Sequence, residues 1–191
     1  MSAYQVIIVG GGVAGLSCAI YTGQAGLRTL VIDNGESQLL RVKQIRNYPG
    51  LSPETSGEEW MHTARMQAEN AGVEFVNAHV DKMVLDHRPY EVMDRNQQTW
   101  TAEFVVLSVN LGFELLENHG LHLGINRHVA NNKIRYVEHV NLEGMTGIPG
   151  VYVAGLLAHV PSQTVIAAGQ GTFVGVQIAS EALGRPYMWH D

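Results

Sequence analysis

The chain has 191 residues, of which 46% are apolar and 16% are charged, and this predicts a globular protein with one core. Its net charge of −6 argues against binding to nucleic acid, which usually needs a basic surface. No apolar run reaches the about 18 residues of a transmembrane helix, and the first apolar run begins too close to Met1 for a signal peptide, so we expect a cytoplasmic protein that does not enter the membrane.

The N-terminal segment has the pattern of a dinucleotide-binding unit. The apolar run Val6–Val9 predicts a buried parallel strand, and a helix-compatible segment follows the glycines after it. In Gly10-x-Gly12-x-x-Gly15, the first glycine permits a tight turn, the second admits a pyrophosphate, and the third lets the helix pack on the sheet. Asp33 ends the next apolar run, where a carboxylate accepts from a ribose 2′-OH and repels a 2′-phosphate. The segment therefore predicts an adenine dinucleotide without a 2′-phosphate, and it leaves NAD and FAD open.

In the middle of the chain, the spacing of apolar residues changes from that of a helix to that of a β-strand. Ser56 and Glu59 predict a capping box for a helix that runs to about Asn70 and is stopped by Gly72. The runs after it predict one strand and then an antiparallel meander. These runs span residues 73–76, 79–85, 89–95 and 99–103. Residues 104–109 are nearly all apolar and predict a separate, buried parallel strand.

The region after Gly112 is predicted to be rich in loops, with one strand at residues 133–137. Its histidines lack the His-x-x-x-His spacing of a helical metal site, so we interpret them as surface or packing residues. These histidines are His119, His122 and His128.

The C-terminal part is predicted to contain a strand at residues 148–155, a loop, and a helix over Ala167–Leu183. Three glycines lie inside this helix, at a cost of about 1 kcal/mol each relative to alanine. They are Gly169, Gly171 and Gly175. Such a cost indicates that the helix backbone lies close to a ligand or to another element.

Distant parts of the sequence together resemble the FAD-binding domain of the thioredoxin reductase family. They are the glycine-rich unit, Asn47-Tyr48-Pro49-Gly50, the capped helix, the meander, and the strand Ile148–Gly155 followed by Gln163 and the glycine-rich helix. In that family the chain leaves the FAD domain for an NADPH-binding domain, which carries a Cys-x-x-Cys, and then returns. The only cysteine here is Cys18, which we interpret as a packed apolar residue. We therefore expect the FAD-binding domain alone.

The resemblance implies an α/β, Rossmann-like FAD-binding domain over residues 1–191, with a parallel central sheet and a small antiparallel β-meander. It divides the domain into an N-terminal part, residues 1–110, and a return segment, residues 111–191. The implied FAD contacts are Gly10, Gly12, Ala14 and Gly15 for the pyrophosphate loop, Asp33 for the adenosine ribose, Val80 for the adenine, Gly155 for the pyrophosphate and ribityl chain, and Asn47, Gln163 and Thr164 for the flavin ring.

Three positions depart from the family pattern. Leu156 replaces an aspartate that binds a ribityl hydroxyl, Ser162 replaces an arginine, and Ser37 stands where a glycine pair precedes the Gln-Leu of the flavin loop. A ribityl hydroxyl left buried and unpaired costs about 1–3 kcal/mol. This corresponds to a loss of about ten- to a hundredfold in FAD affinity.

No side chain stands out as an acid, a base or a nucleophile, so any reaction would be performed by the flavin. One interpretation is a small flavoprotein oxidoreductase, with unknown donor and acceptor, that acts as a homodimer or with a redox partner protein. The alternative is a non-catalytic dinucleotide-binding module, or a subunit of a larger redox complex. Only one Gly-x-Gly-x-x-Gly follows a strand, so we expect no dedicated NAD(P)H site in this chain.

Overall fold

A computed structural model describes residues 2–109, 114–129 and 133–189. The strands are β1 (Ser2–Val9), β2 (Thr29–Asp33), β3 (Glu74–Asn77), β4 (Val80–Val84), β5 (Tyr90–Asp94), β6 (Thr99–Leu107), β7 (Leu123–Ile125), β8 (Arg135–Val137) and β9 (Val151–Val153). The helices are α1 (Val13–Gln24), α2 (Gly57–Asn70), α3 (Glu114–Glu117) and α4 (Thr164–Leu183). Two 3₁₀ turns lie at Gln38–Arg41 and Gly155–Ala158.

The central sheet has the strand order β3-β2-β1-β6-β5-β4, with β9 added beside β6. Strands β3, β2, β1, β6 and β9 are parallel, whereas β5 and β4 run antiparallel. A separate two-stranded sheet joins β7 to β8. The predicted fold class, a parallel α/β sheet with a small antiparallel meander, is confirmed.

Strand β6 corrects the sequence prediction of two strands, at residues 99–103 and 104–109. It is continuous, and along one side it pairs with β1. On its other side, residues 99–102 pair with β5 and residues 105–107 pair with β9. Burial alternates in the first half and is complete from Phe104 onward. The alternation of buried and exposed residues therefore stops because the second half of the strand is buried on both faces, whereas the first half is buried on one. No turn residue separates the two halves.

The two faces of the sheet form two cores, as the alternation of side chains along a strand requires. On one face, Val6 and Ile8 pack with the helices, including Cys18 of α1. On the other face, Ile7 and Val9 join the side chains of the meander, including Val92. The predicted packing role of Cys18 is confirmed, since this side chain is fully buried and burial raises the pKa of its thiol.

Helix α2 begins as predicted. The Ser56 hydroxyl accepts from the Glu59 backbone N–H at 3.1 Å, and the Glu59 carboxylate accepts from the Ser56 N–H at 2.8 Å. These bonds complete the capping box, and the bond from the Ser56 backbone is the main cause that lowers the pKa of Glu59. Of the helices in the described ranges, none is both long and apolar enough to cross a membrane.

Helix α4 crosses α1 at backbone contact. It starts at Thr164, three residues before the prediction. The additional residues, 164–166, have β-branched side chains with a low helix propensity, and they are nevertheless helical. A Cβ atom added at Gly171 would lie 2.7 Å from the Cα atom of Ala14, and one added at Gly175 would lie 2.8 Å from the carbonyl oxygen of Cys18. The glycines thus permit another element to approach the helix backbone closely, as the sequence analysis expected from their cost in a helix.

Two glycines of α4 provide a matched pair of substitutions. We expect Gly171→Ala to lower the free energy of unfolding by about 1–3 kcal/mol, because the new methyl group overlaps the α1 backbone. Nothing lies within 4 Å of a Cβ atom at Gly169, so Gly169→Ala should raise the stability by up to about 1 kcal/mol. Urea unfolding of both variants measures the difference, and equal effects would contradict the proposed contact.

Candidate functional site

A cleft of about 720 Å³ opens at the carboxyl ends of the parallel strands. Its wall includes residues that directly follow β1, β2, β3, β6 and β9, namely Gly10, Asn34, Ala78, Ser108 and Ala154. Ligands of open α/β sheets bind at this edge. The volume lies in the range of sites for small molecules and cofactors.

The glycines of the turn after β1 have different functions. Gly10 has φ of +102°, and a Cβ atom there would lie 2.5 Å from the Ser108 carbonyl oxygen. A Cβ atom at Gly15 would overlap the Gly10 carbonyl oxygen, so both glycines are required to build the turn. At Gly12 the nearest atom to such a Cβ is the Ser37 hydroxyl oxygen, at 3.8 Å. A Cβ atom at Gly12 would therefore overlap no other protein atom, and a larger side chain there would occupy part of the cleft.

Two helices begin at this cleft. Helix α1 starts after Gly12 and helix α4 after Gln163, and neither has a side-chain cap or an acidic residue in its first turn. Val13 and Thr164, the first residues of the two helices, both line the cleft. The N–H groups and the positive dipole end of each helix favour a bound anion such as a pyrophosphate.

Asp33 is fixed by the backbone beside the glycine turn. Its Oδ1 accepts from the Gly11 N–H at 2.9 Å, and its Oδ2 accepts from the Gly35 N–H at 3.1 Å. A Cβ atom at Gly11 would lie 2.9 Å from the carboxyl carbon of Asp33. The carboxylate therefore lies directly against the turn and presents its remaining lone pairs near the cleft.

The side chains of Asn47 and Gln163, which are 116 positions apart in the sequence, are in contact. The Asn47 Nδ2 donates to the Gln163 Oε1 at 2.5 Å, and both side chains line the cleft. This bond connects the loop after the first 3₁₀ turn to the start of α4. The structure thus brings together two residues that the sequence analysis placed beside the flavin ring.

The C-terminal wall of the cleft is held by two buried amides. Gly155, with φ of +70°, donates its N–H to the Gln170 Oε1 at 2.7 Å. The Asn126 Nδ2 donates to the Leu156 carbonyl oxygen at 3.1 Å and to the Val160 carbonyl oxygen at 3.2 Å. Both amides are nearly inaccessible to solvent, so they fix the conformation of the turn that carries Leu156.

The predicted site residues come together, apart from one. The residues that line the cleft are Gly10, Gly12, Ala14, Asp33, Asn47, Val80, Gly155, Gln163 and Thr164. Gly15 supports the turn from behind instead. The departures Ser37, Leu156 and Ser162 also line it.

The sequence analysis missed several residues of this region. His79 and Ser108 line the cleft, and Gln170 and Asn126 support its wall. His79 and Ser108 could have been found because each lies next to a strand end at the ligand edge of the sheet. Gln170 had a weaker signal, as a polar residue between two helix glycines, and Asn126 had none.

The chain matches the FAD binding domain family over residues 5–86. It is 37% identical over 105 residues to a thioredoxin reductase of Rickettsia bellii, which is 54% of this chain and 34% of that protein. It is 32% identical over 117 residues to a thioredoxin reductase of Bacillus subtilis, covering 58% of this chain and 35% of the relative. The chain thus spans about a third of the length of the curated relatives that it matches.

Solved structures share the fold. A thioredoxin reductase from Gloeobacter violaceus superposes with a TM-score of 0.79 at 19% identity, covering 100% of this chain and 99% of that one. An oxidoreductase from Agrobacterium tumefaciens has a TM-score of 0.81 at 14% identity, with 96% and 99% covered.

The fold is of the Rossmann type, and residues 5–86 match a FAD-binding domain. The predicted resemblance to the thioredoxin reductase-like, FAD-dependent oxidoreductases is confirmed for this domain, and so is FAD as its cofactor. The cleft fits FAD because there is free space next to Gly12 and because backbone N–H donors are available at the starts of α1 and α4.

Gly12→Val tests the path of the pyrophosphate. The side chain would enter the cleft, so we expect FAD to be lost while the cofactor-free chain still folds, with its thermal unfolding temperature lowered only by the weaker N-cap of α1. Flavin content after purification and thermal unfolding are the measurements, and Gly169→Ala, outside the cleft, is the control for flavin content. Normal FAD content in the Gly12→Val variant would contradict this path.

Leu156→Asp tests the departure in the C-terminal wall. The Leu156 side chain lines the cleft on a turn whose carbonyl groups are fixed by Asn126. A carboxylate there would supply the missing acceptor for a ribityl hydroxyl, and FAD should dissociate about tenfold more slowly. The dissociation rate is followed by dilution, and an unchanged rate would mean that the ribityl chain does not pass Leu156.

Proposed function

We propose that residues 1–191 act as a single FAD-binding domain of a cytoplasmic flavoprotein oxidoreductase, which passes electrons through bound FAD between a donor and an acceptor. The observation that carries this proposal is the joining of two distant sequence regions in one cleft. The N-terminal region supplies the dinucleotide turn and Asp33, and the C-terminal region supplies Gly155 and Gln163. An ADP-binding module alone does not require the second set.

In this proposal, bound FAD supplies the electron-transfer chemistry and the protein supplies binding and orientation. The start of α1 would bind the pyrophosphate with backbone N–H groups, and the start of α4, which carries Gln163 and Thr164, would face the flavin ring. The Asn47–Gln163 pair would hold the flavin ring and orient it by hydrogen bonding. We assign no side chain of the cleft as an acid, a base or a nucleophile.

A non-catalytic nucleotide-binding module is the second candidate. It is favoured by Leu156 and Ser162, which line the cleft where the related family has a carboxylate and an arginine. The two candidates differ in flavin content, because the module would retain the adenine half of the site alone.

The proposed function predicts a yellow protein whose heat-released cofactor is FAD. We expect slow reduction of this flavin by NADH or NADPH, with no saturation, because the chain has one glycine-rich phosphate turn after a strand and FAD occupies it. Chromatography of the released cofactor and anaerobic stopped-flow absorbance are the measurements. FMN, or no flavin, would refute the proposed function, and fast saturable reduction would reveal a nicotinamide site.

We also propose that the chain forms a homodimer. Exposed apolar side chains support this, including Ile166 and Leu183 on α4 and Leu142, which is 59% exposed. Light scattering at micromolar concentration should give about twice the 20.9 kDa mass of the chain. A mass equal to that of one chain would refute the dimer and would favour a different redox partner protein.

A further inference from the structure

The segment that begins in the first 3₁₀ turn forms a basic surface at the edge of the cleft. It contains Arg41, Lys43 and Arg46, three of the 12 lysine and arginine residues of the chain, and all three are exposed to solvent. Residues 37–53 contain no aspartate or glutamate, so the segment is positive in a chain whose net charge is −6. This surface, residues 40–46, is the basic rim of the cleft.

The charges of the basic rim are not neutralised by the protein itself. Within the described ranges, its three cations form no ion pair, and the ion pairs are made instead by Arg28, Arg65, Arg88 and Arg95. Arg46 donates to the Gln44 Oε1, which is a neutral acceptor. Positive charges without a counter-ion attract carboxylates on another molecule.

The basic rim is continuous with the cleft. Val42, Gln44 and Arg46 line the cleft at alternate positions. The residue that follows, Asn47, donates to the side chain of Gln163, and the proposed function assigns this pair to the flavin ring. A molecule bound to the basic rim would therefore lie next to the part of the cleft that is proposed to hold the flavin.

The backbone of the basic rim is fixed, and its side chains include a small apolar area. The Ile45 N–H donates to the Thr55 carbonyl oxygen at 2.8 Å, and the Gly57 N–H donates to the Val42 carbonyl oxygen at 2.8 Å. Leu40 and Val42 are 37% and 38% exposed, so apolar groups reach the surface among the charges. Apolar contacts surrounded by polar groups are typical of a surface that binds another protein.

We propose that the basic rim binds an acidic electron-carrier protein, which donates electrons to the bound FAD. The inference rests on the proposed function, and it adds the charge of the donor and the surface to which the donor binds. An acidic partner is repelled by the net charge of the chain and attracted at the basic rim, so charge selects both its position and its orientation. Electron-transfer complexes use small interfaces, which suits a surface of seven residues beside a cleft.

A protein donor also explains how electrons reach a chain with a single dinucleotide motif. The sequence has one Gly-x-Gly-x-x-Gly after a strand, and the proposed function assigns it to FAD. In the proposed step, two reduced carriers are each oxidised by one electron, and FAD takes up both electrons together with two protons from the solvent. The carrier therefore needs only to come close to the flavin.

A membrane with anionic lipids is the alternative partner for basic residues, but the apolar groups here do not favour it. Leu40 and Val42 are mostly buried, and the 3₁₀ turn of four residues continues into an extended segment. Basic segments that bind membranes usually insert the apolar face of a longer amphipathic helix.

The test uses the full chain with FAD bound, under anaerobic conditions. A reduced, acidic [2Fe–2S] ferredoxin of the plant type is the protein donor, because its low potential suffices to reduce a flavin. The radical cation of methyl viologen is the second donor, and it carries a positive charge. Stopped-flow absorbance of the flavin gives the second-order rate constant for each donor at several salt concentrations.

We expect Lys43→Gln to lower the rate constant with ferredoxin about threefold at low salt, and Lys43→Gln combined with Arg41→Gln to lower it about tenfold, because each change removes one attractive charge. The differences should vanish at about 1 M salt, where charges are screened beyond about 3 Å. With methyl viologen neither variant should be slower. Neither residue lines the cleft, so the FAD content should be unchanged.

Arg185→Gln is the matched control, since it also removes one exposed positive charge. Arg185 follows the last turn of α4, whose first residue lies at the cleft. A helix of 20 residues is about 30 Å long, so this charge is remote from the basic rim. The rate constants of this variant should equal those of the unmodified chain.

The outcomes separate this inference from the proposed function. Equal rate constants with ferredoxin in the unmodified chain and in the double variant would overturn the basic rim as the docking surface. So would sedimentation of the chain with phosphatidylserine vesicles that is lost in the double variant, since it would assign the surface to a membrane. Reduction by methyl viologen but not by ferredoxin would overturn this inference alone, whereas a chain without flavin would overturn the proposed function and this inference with it.

Discussion

The backbone contact between α1 and α4 is the constraint on which the rest of the structure depends. Gly171 and Gly175 bring α4 against the main chain of Ala14 and Cys18. Because the two helices come from opposite ends of the sequence, this contact places the start of α4 beside the glycine turn that begins α1. A side chain between the helices would separate the two halves of the cleft.

The same contact explains how backbone groups in the C-terminal loops of the cleft are held in position by hydrogen bonds. Gln170, one residue before Gly171, accepts from the Gly155 N–H and donates to the Leu142 carbonyl oxygen. The position of α4 on α1 is thereby transmitted to the wall of the cleft. Asn126 adds a second attachment from the segment before β8. Buried amides with all partners present hold such turns in one conformation.

The sequence predicted the parts of this fold that depend on local chemistry. The glycine turn, the capping box of Ser56 and Glu59, and the meander follow from short patterns with known physical causes. The continuity of β6 could not be predicted, because burial along it depends on neighbours that are distant in sequence. Nor could the support from Asn126 be predicted, since a single asparagine in a loop-rich region gives no indication of its partners.

The cleft combines acidic side chains with the positive end of a helix dipole. The chain carries a net charge of −6, and Asp33 and Glu36 both line the site proposed for an anionic cofactor. Binding of a pyrophosphate must therefore rely on local groups, because the overall field of the protein opposes it. The start of α1 provides such groups, since it has no acidic residue in its first turn. An uncapped helix start at the cleft thus lets a negatively charged protein accommodate the anionic part of a dinucleotide.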